Sequence, residues 1–246
     1  MTVSATSPAA PPEAERLAAR ETLYRLAAAL LGYPLAETQQ ALEDGRLHDT
    51  LNQAWQTLTG EPWPALEPSA SLTDLEVGYM ATFIHGRRGK PRVPLVANAY
   101  EELLAGETPA AHMLNVQAFY RHFDLQPALG DEGLTDEPDH LVAMLEFCAL
   151  LCHLEAQALA DDCDASPYRR AQRDFVARHL SPLLRVVKAR YATQSQHGLD
   201  ATLARLIEAL PAWADSQRAE LEAQVGPCPR PGQNSTPASA NQALWD

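Results

Sequence analysis

The sequence predicts an all-α protein, one compact helical bundle. Three observations carry this. Apolar residues make up 46% of the 246 positions and recur at helical spacing along most of the chain. No segment alternates as a strand does; Val93 to Val96 is too short and lies between prolines and helix formers. Prolines and glycines fall between the periodic stretches, where helices start and stop. A chain of this length supports one large domain or two small ones.

The elements follow in order. Residues 1–12 are mostly Ala, Pro, Ser and Thr and are expected to be disordered. A first helix is predicted from Pro12 to Leu31, because Leu23, Leu26, Ala27 and Leu30 form one stripe and Gly32-Tyr33-Pro34 ends it. A second helical stretch covers Leu35 to Thr59, with a break at Gly45. Pro62, Pro64 and Pro68 then make a stiff, extended connection. Thr73 and Glu76 have capping-box spacing and start a helix with Leu75, Tyr79 and Phe83 on one face. Helices are expected over Pro94 to Leu104 and Pro109 to Phe123.

Next comes Glu137-Pro138-Asp139-His140, read as the first turn of a long apolar helix to Leu159 capped by Asp136. Proline is tolerated there, and the acids face the positive end of the helix dipole. Leu141, Leu145, Cys148 and Cys152 form its buried stripe. Ser166-Pro167 is read as an N-cap and first-turn pair for a helix to Tyr191, interrupted near Pro182. The last helix spans Leu199 to Val225, with a break at Pro211. The domain thus runs over 13–225, and the Pro- and Ser-rich residues 226–246 are expected to be disordered, with Leu244 and Trp245 as their large apolar pair.

Composition excludes several functions. A formal net charge of −13 argues against nucleic acid, which needs clustered cations, and favours cationic partners. Four scattered cysteines do not make a disulfide framework, and Cys148 and Cys152 read as core residues, with no metal expected. Residues 1–14 lack the pattern of a signal peptide, no run reaches the length of a bilayer span, and a cytoplasmic location is expected. There is no phosphate-cradling loop, HExxH or nucleophile elbow. Asp139 and His140 could serve acid–base chemistry, so a small hydrolase is one alternative, but nothing marks a nucleophile or an oxyanion site. A helical adaptor is another. The expectation is no enzyme and no cofactor.

One basic loop stands out in this acidic chain. His85-Gly86-Arg87-Arg88-Gly89-Lys90-Pro91-Arg92 reads either as a solvated loop or as an anion or client contact through Arg87, Arg88, Lys90 and Arg92. It follows Tyr79 and Phe83 and precedes Pro94-Leu95 and Tyr100.

The ordered series Tyr79-x-x-x-Phe83-x-x-Gly86, Pro94, then Glu137-Pro138-Asp139-His140 resembles the twin-arginine redox-enzyme maturation chaperones, the family of TorD, DmsD and NarJ. The resemblance covers roughly residues 15–225. It departs at Leu95-Val96-Ala97-Asn98-Ala99-Tyr100, where many members carry Tyr-Glu-Ser-x-Tyr-type residues. The resemblance implies a cytoplasmic chaperone, monomer or homodimer, without cofactor. Its client would be the catalytic subunit of a molybdopterin oxidoreductase with a twin-arginine leader. Tyr79, Phe83 and Leu95 would form the apolar wall of a leader groove, Glu137 and Asp139 would accept guanidinium groups, and His140 would orient Asp139 or bond the peptide. The overall look suggests the branch serving periplasmic dimethyl-sulfoxide-reductase-type enzymes, such as dehydrogenases of dimethyl sulfide or ethylbenzene and reductases of selenate or chlorate.

Overall fold

A computed structural model of the chain describes residues 11–86, 89–125, 137–194 and 198–229. Expectations for Asp136, Arg87, Arg88, the outer parts of both tails, Leu244 and Trp245 lie outside them. Among the described residues the regular structure is helical, and the one piece of β pairing is an isolated bridge.

Helix α1 (Glu13–Leu31) carries Glu13 and Glu15 in its first turn, against the positive end of its dipole. It ends at Gly32, whose N–H donates to Ala28 O. Helices α2 (Ala36–Glu43) and α3 (Arg46–Thr59) are separated at Gly45, as expected. Its φ of 77° is the left-handed conformation that glycine adopts without Cβ strain. The proline-rich connection is tied down at two places. Asn52 Oδ1 accepts from Trp63 N at 2.8 Å, and Asp200 Oδ2 accepts from Ser69 N at 2.8 Å.

Helix α4 (Leu72–Tyr79) starts earlier than its capping-box spacing suggested. Ser71 is the cap, its hydroxyl accepting from Asp74 N, so Thr73 lies inside the helix. The helix continues as a π-turn, Met80–Ile84, closed by His85 N donating to Met80 O at 2.7 Å. The expected helix over Pro94 to Leu104 is instead an extended strip, a 3₁₀ turn (Ala97–Ala99) and one turn of helix, α5 (Glu101–Leu104). The strip has a pairing partner near the start of α7, which outweighs its helix propensity. Helix α6 (Pro109–His122) is capped by Thr108.

Helix α7 (Leu141–Ala160) is the centre of the bundle, packed between α1 and α8 (Ser166–Phe175), and its predicted stripe of Leu141, Leu145, Cys148 and Cys152 is fully buried. Contrary to the sequence reading, it is long and apolar enough by composition to cross a bilayer; here that apolar surface faces neighbouring helices, and 56% of its most apolar window is buried. It also starts later than expected. His140 is the N-cap, and Glu137 to Asp139 precede the helix.

Ser166 is the first residue of α8, not its cap; Asp164 Oδ1 accepts from Ser166 N at 2.9 Å. A π-turn, Val176–Leu180, joins α8 to α9 (Ser181–Ala192). It absorbs Pro182, which lacks an N–H and would crowd the carbonyl four residues back. Helix α10 (Ala201–Val225) runs through Pro211 without the expected break. Packing on α8 and α9 holds it, and Lys188 Nζ donates to the Glu208 carbonyl at 2.9 Å beside the proline-interrupted ladder. Beyond α10, residues 226–229 lie against the body: Arg173 donates to Gly226 O and Arg178 to Pro229 O.

Candidate functional site

Two segments more than forty residues apart are stitched together. Leu141 N donates to Leu95 O at 2.7 Å and Ala97 N donates to Asp139 O at 3.0 Å, framing an antiparallel bridge between Val96 and His140. Asp139 sits behind this bridge with 0% exposure. Its carboxylate accepts from Asn98 N at 2.7 Å and from Asn98 Nδ2 at 3.3 Å, capping the 3₁₀ turn. Pro138 is held too, its carbonyl accepting from Tyr120 Oη at 2.8 Å. Burial pushes the Tyr120 phenol well up.

At the surface of the same segment, Glu137 is exposed and His140 is half-buried. Partial burial, then the nearby Asp139 carboxylate, raise the Glu137 pKa above the ordinary glutamate range. His140 Nδ1 accepts from Val142 N at 3.2 Å, so the imidazole closes the start of α7.

The aromatic side of the motif is an internal wall. Tyr79 and Phe83 are 4% and 3% exposed and meet edge to face, with ring centroids 4.9 Å apart. Tyr79 Oη donates to Leu31 O at 3.0 Å, and burial followed by the neighbouring Tyr33 pushes its pKa to about 12. Leu95 is buried as well. Backbone pairing joins this wall to the bridge, since Val93 N donates to Thr82 O at 3.0 Å. The structure thus brings Leu95, Asp139 and His140 into one pairing and Tyr79 and Phe83 into one ring contact.

The basic loop is closed by its own backbone. A Cβ added at Gly86 would lie 1.9 Å from Lys90 O, so only glycine fits. Arg92 turns inward: Nη1 donates to Ala81 O at 2.7 Å, and its carbonyl accepts from Arg190 Nε at 2.9 Å. That guanidinium satisfies carbonyls at the π-turn and is no free anion contact, whereas Lys90 is exposed. Sequence reasoning missed Asn98, Arg190 and Tyr120 as supports. A signal existed for Asn98 alone, an Asx residue in a short turn-forming run.

The arrangement does not suit hydrolysis. Both oxygens of Asp139 are engaged by Asn98 and the group is sealed from solvent, so it cannot exchange a proton with a substrate. Among the described residues no group of three or more His, Cys, Asp or Glu could hold a metal ion, and Cys148 and Cys152 are buried free thiols.

The chain belongs to the nitrate reductase delta subunit family, whose model matches residues 43–189. Its similarity to one relative runs nearly end to end, and to others over about two thirds to three quarters of the chain. It is 47% identical over 233 residues to the dimethyl sulfide dehydrogenase assembly chaperone protein of Rhodovulum sulfidophilum, covering 94% of this chain and 93% of that one. It is 36% identical over 160 residues to the selenate reductase assembly chaperone protein of Thauera selenatis, covering 63% and 77%. It is 32% identical over 191 residues to the perchlorate reductase assembly chaperone protein of Dechloromonas aromatica, covering 72% and 81%. These relatives are assembly chaperones, and the chain is not an enzyme. No solved structure matches it at a significant level.

Proposed function

We propose that this protein is a cytoplasmic chaperone that binds the twin-arginine leader and the immature body of a molybdenum oxidoreductase catalytic subunit and holds it while its cofactor is inserted. The observation that carries the reading is the 47% identity, over 94% of the chain, to a dimethyl sulfide dehydrogenase assembly chaperone. That degree of similarity favours a client of the same enzyme class.

The geometry suggests a division of labour for leader binding. Glu137, exposed at the turn before α7, presents a carboxylate to guanidinium groups, and His140 lies beside it. Tyr79, Phe83 and Leu95 shape the groove from beneath. Asp139 acts as a positioning residue: it fixes the turn that displays Glu137 and His140. The basic loop meets the client body through Lys90 with Arg87 and Arg88, while Arg92 holds the loop to the π-turn.

Isothermal titration with the twin-arginine leader of a dimethyl-sulfide-dehydrogenase-type catalytic subunit tests the reading. Binding is expected in the micromolar range or tighter, about −8 kcal/mol, and should fall when the arginine pair is changed to glutamine. Equal or absent binding of both peptides would overturn the leader assignment. The chaperone class would stand or fall separately, on whether the client matures without this protein.

A further inference from the structure

A second site lies away from the motifs, in a cleft of about 490 Å³ between α1, the end of α3 and α10. None of the motif residues lines it. Trp55 and Trp213 form apolar walls, each less than a tenth exposed. Gln217 lines the cleft at 3% exposure; its Oε1 accepts from Tyr24 Oη, and its Nε2 has no partner. A buried amide donor left unpaired is costly, and this one belongs to a residue that lines the cleft.

Charge at the same end of the cleft points the same way. The Arg20 side chain is 6% exposed, yet it reaches Glu220 at 3.5 Å and Glu155 at 4.0 Å, longer than a tight charge-assisted bond. Glu155 is already engaged, with Oε1 accepting from Arg169 Nε at 2.6 Å and Oε2 from Gln172 Nε2 at 2.7 Å. Glu220 is shared with Arg16, at 2.8 Å. Two guanidinium groups therefore divide one partly exposed carboxylate at the mouth, and the more buried one is the worse served.

We propose that this cleft binds a small aromatic carboxylate. Its ring would lie against Trp55 and Trp213, and its carboxylate would bridge Arg20 and Arg16 and accept from Gln217 Nε2. The volume is within the range of small-molecule sites, and an apolar wall with a few polar groups is their usual make-up; here Arg16, Arg20 and Arg205 share the lining with Glu61, Glu208 and Glu220. The proposal is independent of leader binding.

The test is isothermal titration of the full chain with indole-3-acetate, and with tryptamine, which carries the same ring and a cation. Saturable binding of indole-3-acetate is expected, with Kd on the order of 100 μM, and none of tryptamine. Arg16→Gln should weaken it by about tenfold. Gln217→Glu keeps an acceptor for Tyr24 and replaces the free donor by a like charge, and it should abolish binding. Arg16 is only half-buried, so Arg16→Gln decides the matter if Gln217→Glu does not fold. Equal binding of the two ligands, no saturable heat at millimolar indole-3-acetate, or wild-type affinity in Arg16→Gln would overturn the proposal.

Discussion

The carboxylate of Asp139 clasps Asn98 at two points, the backbone N–H at 2.7 Å and the side-chain Nδ2 at 3.3 Å, with the acid sealed from solvent. The residue that most resembles a peptide contact in the sequence is therefore the one that holds two distant segments in register. Asp139→Ala should lower stability by about 1–3 kcal/mol, since it leaves buried donors unpaired. Asp139→Asn keeps one acceptor and should cost less. Urea denaturation of Asp139→Ala, Asn98→Ala and the double variant should show strong coupling. Additive losses would mean the clasp contributes nothing as a pair.

Display and stability separate at His140. His140→Ala removes the cap of α7 and should cost about 0.5–2 kcal/mol, whereas His140→Asn restores a side-chain acceptor. If both variants lose leader affinity equally while only the first loses stability, the imidazole itself meets the peptide. Glu137→Gln, at an exposed position, should leave the melting temperature unchanged and weaken leader binding by about tenfold. Unchanged affinity would remove Glu137 from the groove.

Gly86 reports on the loop. Gly86→Ala forces a Cβ against Lys90 O and the Arg92 amide, so the hydrogen bond from Arg92 N to His85 O must open. The expected cost is about 1–3 kcal/mol, with faster limited proteolysis after Arg87 or Arg88. A variant as stable and as resistant as the parent would show that the loop closes in some other way.

Acid stability should depend on His179. This residue lies in the π-turn after α8, among Phe119, Phe175 and His112, and burial, then His112 and Arg178, lower its pKa to about 3. An unfolded histidine titrates near 6.5. Between those values the unfolded chain binds the extra proton, so stability rises with pH in that window and is lost as pH falls through it. The contribution approaches about 1.4 kcal/mol per pH unit. His179→Leu should flatten the pH dependence of stability between about pH 6.5 and 3 relative to the parent. Parallel curves for the two proteins would refute the assignment.

The helical class and the approximate places of most helices were legible in the sequence, because apolar spacing and glycine or proline punctuation are local signals. The buried stripe of α7 and the break at Gly45 followed from them directly. So did the family, since the order of Tyr79, Phe83, Gly86, Pro94 and Glu137 to His140 is a property of the chain. What only the tertiary structure decided depends on partners remote in sequence. Residues 93–96 are extended because His140 and its neighbours offer hydrogen bonds, which no local propensity reports. Pro211 stays in a helix because α8 and α9 hold α10 around it. The inward turn of Arg92 and the burial of Asp139 reverse what their charges suggest in isolation, because Ala81 O, Arg190 and Asn98 reach them across the fold. A charged side chain declares its chemistry in the sequence, but whether it faces a ligand or satisfies the protein's own backbone is settled by what packs against it.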